Sequence, residues 1–302
     1  MNERQPLVSV VIPAYNAERW IRTAVDSVLD QSFRDFELTV VDDGSSDGTA
    51  SILASYGDRL RYVRQANRGV SHARNRGMTE SRGTFVAFLD ADDAWLPAKL
   101  AQQMAALRSR TDCKAAYTAV IETDAALQDV AEKRSYDSAV SSEALLLRGN
   151  LVTGSASSVV CDRQLVSDVG GFDVNLSLCA DWDLWVRLAA RTRFAYVDEP
   201  LVRYRRTSGS MSRAVPVLER DTLALLKKAF SSTAFDPRTR ALAYGHHYTV
   251  LSGSYFAAGD LGSAIRCMLA ALRHDPQQLL HAAALPLRRW REWRGRAPRH
   301  GH

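Results

Sequence analysis

The residues with the clearest chemical potential are the three carboxylates of Asp90-Ala91-Asp92-Asp93. They directly follow an apolar run, Phe85 to Leu89, of the kind that forms a buried strand. Three carboxylates at one strand end repel one another unless hydrogen-bond donors or a cation neutralise them. Oxygen ligands suit Mg²⁺ or Mn²⁺ better than zinc. The run therefore predicts a divalent-metal site, with ordinary polar turn chemistry as the alternative.

A second acidic turn, Asp42-Asp43-Gly44-Ser45, follows another predicted strand at residues 36–41. Turn and helix-capping roles account for Asp43 and Ser45 without any ligand. Asp42 stands at the end of the strand, where we expect it to point into a crevice. A carboxylate there accepts hydrogen bonds from a base or a ribose.

A basic helical segment, residues 69–77, lies between the two acidic turns. Arg74 and Asn75 are its best candidates for contact with a diphosphate or a base, because a guanidinium directs two donors toward phosphate oxygens. A solvated helix face is the alternative and is the favoured interpretation of Arg76. The segment therefore adds a predicted anion contact to the two acidic turns.

These residues need a scaffold that brings strand ends together, and the pattern of apolar residues predicts one. Between residues 7 and 108, β-branched runs alternate with amphipathic helical stretches. The predicted strands are 7–12, 36–41, 60–64 and 84–89, and the predicted helices are 17–29, 49–56, 70–80 and 97–108. This alternation indicates an α/β layered domain that binds ligands at the carboxyl ends of its strands.

The pattern becomes looser beyond Cys113. We predict strands near 115–121, 157–160, 194–197 and 201–205, with helices near 143–147 and from Asp181. Helical periodicity dominates from about Val215, and residues 259–276 resemble the second half of a tetratricopeptide unit. A single such unit indicates a small helical extension rather than a repeat array.

The composition narrows the class of protein. The chain of 302 residues is 46% apolar and 24% charged, which is a globular balance. The four cysteines are scattered without paired spacing or a Cys/His cluster, which argues against disulfide and zinc frameworks. The N-terminus lacks a secretory signal pattern, and no apolar run is long enough to span a membrane. We therefore expect a cytoplasmic protein, either soluble or peripheral.

The net charge of +5 is concentrated at the C-terminal end. Residues 287–302 hold six arginines and one glutamate, so the rest of the chain is formally neutral. A neutral body argues against nucleic acid as a partner. The arginines, with Trp290 and Trp293 among them, predict peripheral contact with an anionic membrane at its inner face. A flexible solubilising tail is the alternative.

Four ordered motifs together resemble glycosyltransferase family 2. They are Val8 to Asn16, Val41 to Asp47, Ala73-Arg74-Asn75 and Leu89 to Asp93. The similarity continues through residues 170–173, 181–185 and 204–206, so that it covers residues 7–210. The resemblance implies a GT-A fold with a mostly parallel central sheet flanked by helices. It also implies a nucleotide-diphosphate sugar donor, a divalent metal and inversion at the anomeric carbon.

The resemblance assigns roles to individual residues by motif. Tyr15 and Asp42 would contact the nucleobase and Arg74 the base or diphosphate. Asp90 would contact the ribose or sugar, and Asp92 would hold the metal, Mn²⁺ or Mg²⁺. The donor-binding set implied in this way is Pro13, Ala14, Tyr15, Asp42, Arg74, Asn75, Asp90 and Ala91.

The catalytic base of the family lies in a Glu-Asp pair, which Ala180-Asp181 matches here. Asp181 is therefore the predicted base, held ionised by the dipole of the helix that it begins. An ordinary N-terminal helix residue is the alternative. Trp182 and Asp183 are the predicted acceptor-side residues, and Trp182 with Trp185 has the spacing to flank a sugar ring, although core packing is favoured for Trp185.

Two positions depart from the family pattern. Ala180 replaces the first carboxylate of the pair, which leaves any substrate contact of that glutamate without a counterpart. Thr207 stands where many relatives have a histidine. If that histidine assists metal or phosphate binding in relatives, the task falls here to Arg206, to Ser210 or to water.

The predicted function is metal-dependent, inverting transfer of a sugar from a UDP-sugar to a hydroxyl of a glycan or lipid-linked acceptor, in surface polysaccharide or glycan synthesis. One alternative is a sugar nucleotidyltransferase, although Pro13 to Asn16 stand where that class has a glycine-rich phosphate loop. The other is a non-catalytic sugar-nucleotide-binding protein. The predicted domains are a GT-A domain at 1–212, a helical extension at 213–285 and a flexible basic tail at 286–302.

Overall fold

The computed structural model describes residues 5–135, 140–206, 214–232 and 235–277. The strands are β1 (Val8–Ala14), β2 (Phe36–Asp42), β3 (Arg61–Arg64), β4 (Phe85–Phe88), β5 (Ala94–Trp95), β6 (Cys113–Thr123), β7 (Asp129–Lys133), β8 (Val159–Asp162) and β9 (Arg193–Arg205). The helices are α1 (Ile21–Leu29), α2 (Thr49–Ala54), α3 (Val70–Glu80), α4 (Lys99–Ser109), α5 (Ser142–Arg148), α6 (Arg163–Asp168), α7 (Ala180–Ala189), α8 (Val215–Ser232), α9 (Pro237–Ala257) and α10 (Leu261–His274).

The strands form one mixed sheet in the order β3-β2-β1-β4-β8-β6-β9-β5, with β7 paired to β6. The first four strands in that order are parallel, as the alternation of strands and helices predicts. Beyond β4 the pairing becomes mixed, because β8 runs antiparallel to both β4 and β6 while β6 and β9 are parallel. The carboxyl ends of β1, β2 and β4 therefore meet at one edge.

Helices cover both faces of the parallel half of the sheet. Val10 and Ile12 of β1 belong to a buried cluster with the apolar side of α1. Val11 points to the other face, where α3 packs against β1. Gly77 permits that close approach, because a Cβ at this position would lie 2.2 Å from Val11 Cγ1. β1 is buried along its whole length, as expected for a strand covered on both sides.

The structure differs from the sequence-based expectation in several elements. The two expected strands at 194–197 and 201–205 form one strand, β9, since a register shift against β6 accommodates the polar residues before Pro200. Ser157 belongs to a 3-10 turn, Ser155–Ser158, rather than to the strand that follows it. The short elements β5, β7 and α6 have no counterpart among the expected elements.

The chain divides into two compact units. Of the described residues, one unit holds 5–135, 140–145 and 150–206, and the other holds 146–149, 214–232 and 235–277. In the second unit, α8, α9 and α10 share a small apolar cluster that contains Leu251, Tyr255 and Cys267. No described helix has the length and apolarity needed to cross a bilayer. The predicted basic tail lies outside the described residues.

Candidate active site

The candidate site lies in the first unit, at the shared edge formed by strand carboxyl ends. Ala14, the last residue of β1, is in register with Asp42, the last residue of β2. The turn that contains Asp90 follows the parallel neighbour β4. Tyr15 continues from β1 with 53% of its surface exposed. The fold thus brings three of the four motifs to one edge.

Asp42 does not offer an open carboxylate, contrary to the expectation from its position. The side chain is fully buried. Its Oδ1 accepts the Ser45 N–H at 2.8 Å, and its Oδ2 accepts the Tyr62 hydroxyl at 2.8 Å. Both oxygens of this carboxylate are thus occupied by donors from the protein. Pro13 and Ala14 are likewise buried within β1, so their side chains are closed to a donor.

Arg74 forms an ion pair with Asp90. Its Nη2 lies 2.5 Å from Asp90 Oδ1, and its guanidinium carbon lies 5.0 Å from the centre of the Phe172 ring. Arg74 is buried, and its Nε has no hydrogen-bond partner among the described residues, whereas Asp90 is partly exposed. Two residues of the predicted donor set therefore bind each other.

Asn75 has a different role from the predicted one. Its Nδ2 donates to the Phe172 carbonyl at 2.8 Å, and its Oδ1 accepts the Phe172 N–H at 2.9 Å. Both ends of the amide thus hold the backbone of the loop that carries Phe172. This geometry makes Asn75 a positioning residue and gives no support to a donor contact. Ala91 is partly exposed in the acidic turn.

The acidic turn is fastened by two residues from distant parts of the chain. Ser157 Oγ accepts the Asp90 N–H at 3.0 Å and donates to Asp93 Oδ2 at 2.6 Å. The Arg205 N–H donates to Asp93 Oδ1 at 2.9 Å, and Arg205 Nε donates to the Asp92 carbonyl at 2.6 Å. Asp93 is therefore the member of the three carboxylates whose two oxygens are both held by hydrogen bonds within the protein.

The charge of the turn fits a cation. Burial, followed by repulsion from Asp90, raises the pKa of Asp92 to about 6. Burial and then the charges of Asp92 and Asp90 raise the pKa of Asp93 well above its usual range. These shifts mean that the anionic forms are under-neutralised, which is the electrostatic condition that a divalent cation relieves. The described residues contain no group of three or more His, Cys, Asp or Glu side chains arranged around one metal position.

Asp181 occupies the first turn of α7 and is buried. Its Oδ2 accepts the Ser155 hydroxyl at 2.8 Å and Asn150 Nδ2 at 3.2 Å, and its Oδ1 accepts the Trp182 N–H at 2.7 Å. Burial raises its pKa despite the opposing effects of Ser155 and Arg74. Burial therefore opposes the ionised form of Asp181, which the dipole of α7 was expected to favour.

Asp181 shares an electrostatic environment with the acidic turn. The charges of Arg74 and Asp90 both act on its pKa. The pKa of Tyr204 is raised by burial and then by the charges of Asp93, Asp90, Asp181 and Asp92. One tyrosine hydroxyl thus lies within electrostatic range of all four carboxylates, which come from two segments about ninety residues apart in the sequence.

The two predicted acceptor-side residues are buried, which corrects that expectation. Trp182 donates its Nε1–H to the Leu145 carbonyl at 3.1 Å. Asp183 Oδ2 lies 2.5 Å from Arg187 Nη2, and Arg187 also donates to the carbonyls of Val169 and Gly171. Both side chains therefore support the fold around the site. Trp185 is fully buried, in agreement with the core packing favoured for it.

Of the residues expected to take over the task of the family histidine, only Arg206 lies within the described part of the chain. Arg206 pairs with Glu122, with Nη1 3.0 Å from Oε1. Thr207 and Ser210 lie outside the described residues. Arg206 therefore has a protein partner of its own at this position.

Sequence reasoning missed three residues that organise the site: Ser155, Ser157 and Arg205. The turn composition of residues 154–158 gives a weak signal, because glycine and serine are typical of irregular backbone. Arg205 falls within a family motif but carried no assigned role. No spacing rule indicates that the serines contact Asp181 and Asp93, since these contacts span 26 and 64 residues.

Known proteins match both the sequence and the fold. A family profile described as "Glycosyl transferase family 2" matches residues 9–153. The putative teichuronic acid biosynthesis glycosyltransferase TuaG of Bacillus subtilis is 33% identical over 223 residues, which cover 70% of this chain and 84% of that protein. The chain belongs to glycosyl transferase family 2. The predicted family and the predicted enzyme class, a glycosyltransferase, are therefore confirmed for the matched domain.

Another relative is longer than this chain. An uncharacterized glycosyltransferase of Rickettsia typhi is 30% identical over 210 residues, which cover 68% of this chain and 65% of that protein. The chain thus spans about two thirds of the length of this relative.

Solved structures confirm the predicted GT-A type of α/β fold. S. aureus TarS, residues 1–349 in complex with UDP-GlcNAc, has a TM-score of 0.61 at 17% identity, over 88% of this chain and 92% of that one. The mannosyltransferase PcManGT from Pyrobaculum calidifontis, in complex with GDP-Man and Mn²⁺, has a TM-score of 0.60 at 19% identity, over 96% and 84%. At these identities the likeness extends to the fold alone.

Proposed function

We propose that this family 2 glycosyltransferase transfers a sugar, with inversion, from a UDP-sugar to an acceptor hydroxyl. The observation that carries the proposal is that one short turn bonds both carboxylate segments, since Ser155 donates to Asp181 at 2.8 Å and Ser157 donates to Asp93 at 2.6 Å. Asp181 has a raised pKa, and a general base is most effective when its pKa approaches the working pH. Asp92 has the under-neutralised carboxylate of a cation site.

The proposed reaction is a single in-line displacement. Asp181 accepts the proton of the acceptor hydroxyl while the oxygen attacks the anomeric carbon, and the bond from that carbon to the diphosphate breaks. The electron pair of that bond leaves with the nucleoside diphosphate. A divalent cation held by Asp92, Mn²⁺ or Mg²⁺, would supply the positive charge that stabilises the leaving diphosphate.

Donor binding is assigned to the side chains that remain open at the strand ends. The exposed Tyr15 ring is available to stack on a nucleobase, and the partly exposed Asp90 carboxylate can accept hydrogen bonds from ribose or sugar hydroxyls. Arg74 already binds Asp90. When a donor enters, one member of this pair therefore gives up the other and binds a hydroxyl or phosphate oxygen of the donor instead. Asp42 is left out of these contacts, because both of its carboxylate oxygens already accept hydrogen bonds from the protein.

The name of TuaG and the UDP-GlcNAc bound to TarS support a surface-polysaccharide role and a uridine donor. The GDP-Man bound to PcManGT makes a guanosine donor the competitor. A thermal-shift screen of UDP-GlcNAc, UDP-glucose and GDP-Man, with and without Mn²⁺, tests the donor class, because ligands that bind the native state raise its apparent stability. Release of nucleoside diphosphate supports sugar transfer. Pyrophosphate exchange would instead indicate a nucleotidyltransferase, and binding without turnover would indicate a sensor.

We also propose that the protein works at the cytoplasmic face of an anionic membrane, where a lipid-linked acceptor would be available. Leu261, Ile265 and Leu269 recur every four residues on α10 and are 57%, 62% and 52% exposed. The arginine-rich tail follows this helix in the sequence. Exposed apolar and basic side chains together favour an anionic bilayer surface. Vesicle flotation of the full chain against a form ending at Leu285 tests this idea, and equal flotation would remove it.

A further inference from the structure

Ser155 has a backbone conformation that serine rarely adopts. Its φ is 53°, in the left-handed region that favours glycine, and it directly follows Gly154, whose φ is 72°. Non-glycine residues in this region are uncommon and concentrate at functional sites, where the surrounding structure holds them in place. The conformation of Ser155 therefore requires a physical account beyond turn formation.

The contacts of Ser155 supply that account. Its hydroxyl donates to Asp181 Oδ2 at 2.8 Å. Two residues further along the same 3-10 turn, Ser157 donates to Asp93 in the acidic turn. Ser158, the last residue of this turn, instead donates to the backbone carbonyls of Thr153 and Ser155. One short turn thus fastens both carboxylate segments of the site, and Ser155 makes the contact to Asp181.

We propose that Ser155 is a positioning residue that fixes the Asp181 carboxylate for proton acceptance, a role that rests on the proposed function. A carboxylate held at Oδ2 by a hydroxyl, and at Oδ1 by the Trp182 N–H, cannot rotate freely. The remaining lone pairs of the two oxygens then keep fixed directions toward an acceptor hydroxyl. Asn150 Nδ2 adds a longer contact of 3.2 Å to Oδ2.

The charge of Asp181 provides a second line of argument. A hydrogen bond donated to a carboxylate favours its ionised form, and the Ser155 hydroxyl is the largest of the effects that oppose burial. The charged and titratable groups that act with it are Arg74, which lowers the pKa of Asp181, Asp90, which raises it, and Tyr204, whose own pKa Asp181 raises. Without the Ser155 hydroxyl, burial and Asp90 raise the pKa of Asp181 with less opposition.

The test is a titration of Asp181 itself by carboxyl ¹³C NMR of aspartate-labelled protein, with the signal assigned from Asp181→Asn. Two variants remove the hydroxyl: Ser155→Ala keeps the strained backbone, and Ser155→Gly relaxes it. We expect both to raise the pKa of Asp181 by about one unit, since hydrogen bonds to charged groups have that magnitude. Ser158→Ala, in the same turn, is the matched control and should leave the titration unchanged. An unmoved titration in both Ser155 variants, or an equal shift in Ser158→Ala, would overturn the proposal.

Kinetics separate this proposal from the function on which it rests. With the donor selected by the thermal-shift screen, the acidic limb of the kcat/KM profile should move to higher pH in both Ser155 variants, because a base with a raised pKa is ionised only at higher pH. A purely structural role would lower the rate equally at every pH. If Asp181→Asn retains full transfer activity, the proposed function fails and the role of Ser155 fails with it. If Asp181→Asn is inactive but the pKa of Asp181 is unchanged in both Ser155 variants, only the role of Ser155 is overturned.

Discussion

The guanidinium of Arg74 lies 2.5 Å from the carboxylate of Asp90, and the arginine is the more buried of the two. The pair joins the basic helical segment to the acidic turn without a ligand. Asp90 is therefore the direct anionic partner of Arg74, whose charge also acts on Asp92 and Asp181.

Asp90→Asn tests this ion pair. The amide is close in shape to the carboxylate but leaves the buried charge of Arg74 without its anionic partner. We expect the free energy of unfolding to fall by about 2 kcal/mol, less than for a fully buried pair because Asp90 is partly exposed. Guanidinium denaturation measures the change. Asp58→Asn, at an exposed aspartate, is the control, and equal stability of the two variants would show that the ion pair contributes nothing.

Asp92→Asn should have the opposite effect on the ligand-free protein. Since folding raises the pKa of Asp92 from 3.8 to about 6, its ionisation disfavours the folded state. This unfavourable contribution is fully present above pH 6 and disappears as the pH falls toward 4. We therefore expect Asp92→Asn to stabilise the protein on the order of 1 kcal/mol at pH 7.5, with the gain lost near pH 4. A destabilised variant at pH 7.5 would contradict the electrostatic account of the turn.

The same variant should also lose its response to metal. In the wild type we expect Mn²⁺ with a nucleoside diphosphate to raise the melting temperature above the value with the nucleotide alone. Asp92→Asn should abolish that increment, because it removes the proposed metal ligand. An unchanged Mn²⁺ increment in the variant would place the cation elsewhere.

Asn75→Ala separates a positioning role from donor binding. The variant removes both hydrogen bonds to the Phe172 backbone, and we expect the free energy of unfolding to fall by about 2 kcal/mol. The dissociation constant for the nucleoside diphosphate should change less than twofold when measured by calorimetry on folded protein. Asn175→Ala, at an exposed residue near the same loop, should affect neither quantity. Tenfold weaker nucleotide binding at unchanged stability would restore the donor contact to Asn75.

Gly154 tests the rigidity of the turn that holds the site. A Cβ here would lie 2.4 Å from Val120 Cγ1, in addition to the strain of φ 72°. Gly154→Ala should therefore cost about 3 kcal/mol of stability, by strain and overpacking together. Gly57 is the matched control, because it has φ 54° but no neighbour within 4 Å of an added Cβ. Equal losses in Gly154→Ala and Gly57→Ala would mean that the contact with Val120 is readily relieved.

The parallel half of the fold could be predicted because local patterns determine it. Apolar runs such as Val8 to Ile12 end at turn residues, and the helices between them have one apolar side. The second half was less predictable, since β8 and β9 find their partners across long sequence separations. The bulge before Pro200 interrupts the pattern of β9 without ending the strand.

In the site, too, the features set by local sequence motifs could be predicted, and those set by tertiary contacts could not. The acidic turn and Asp181 could be found from their motifs, and the structure brings them into one electrostatic environment. Which carboxylates stay open could not be found in this way. Asp42 and Asp183 are closed by Tyr62 and Arg187, whose positions depend on tertiary packing. The contact of Ser155 with Asp181 likewise exists only in the folded chain.

The most direct test of the account is the rate of sugar transfer by Asp181→Asn when donor binding is intact. The variant should bind the nucleotide sugar and Mn²⁺ like the wild type, as measured by calorimetry. We expect its kcat to fall by about 10²–10⁴-fold, the usual contribution of a positioned base. Transfer at the wild-type rate, with the same donor and acceptor, would contradict the assignment of Asp181 and with it the proposed mechanism.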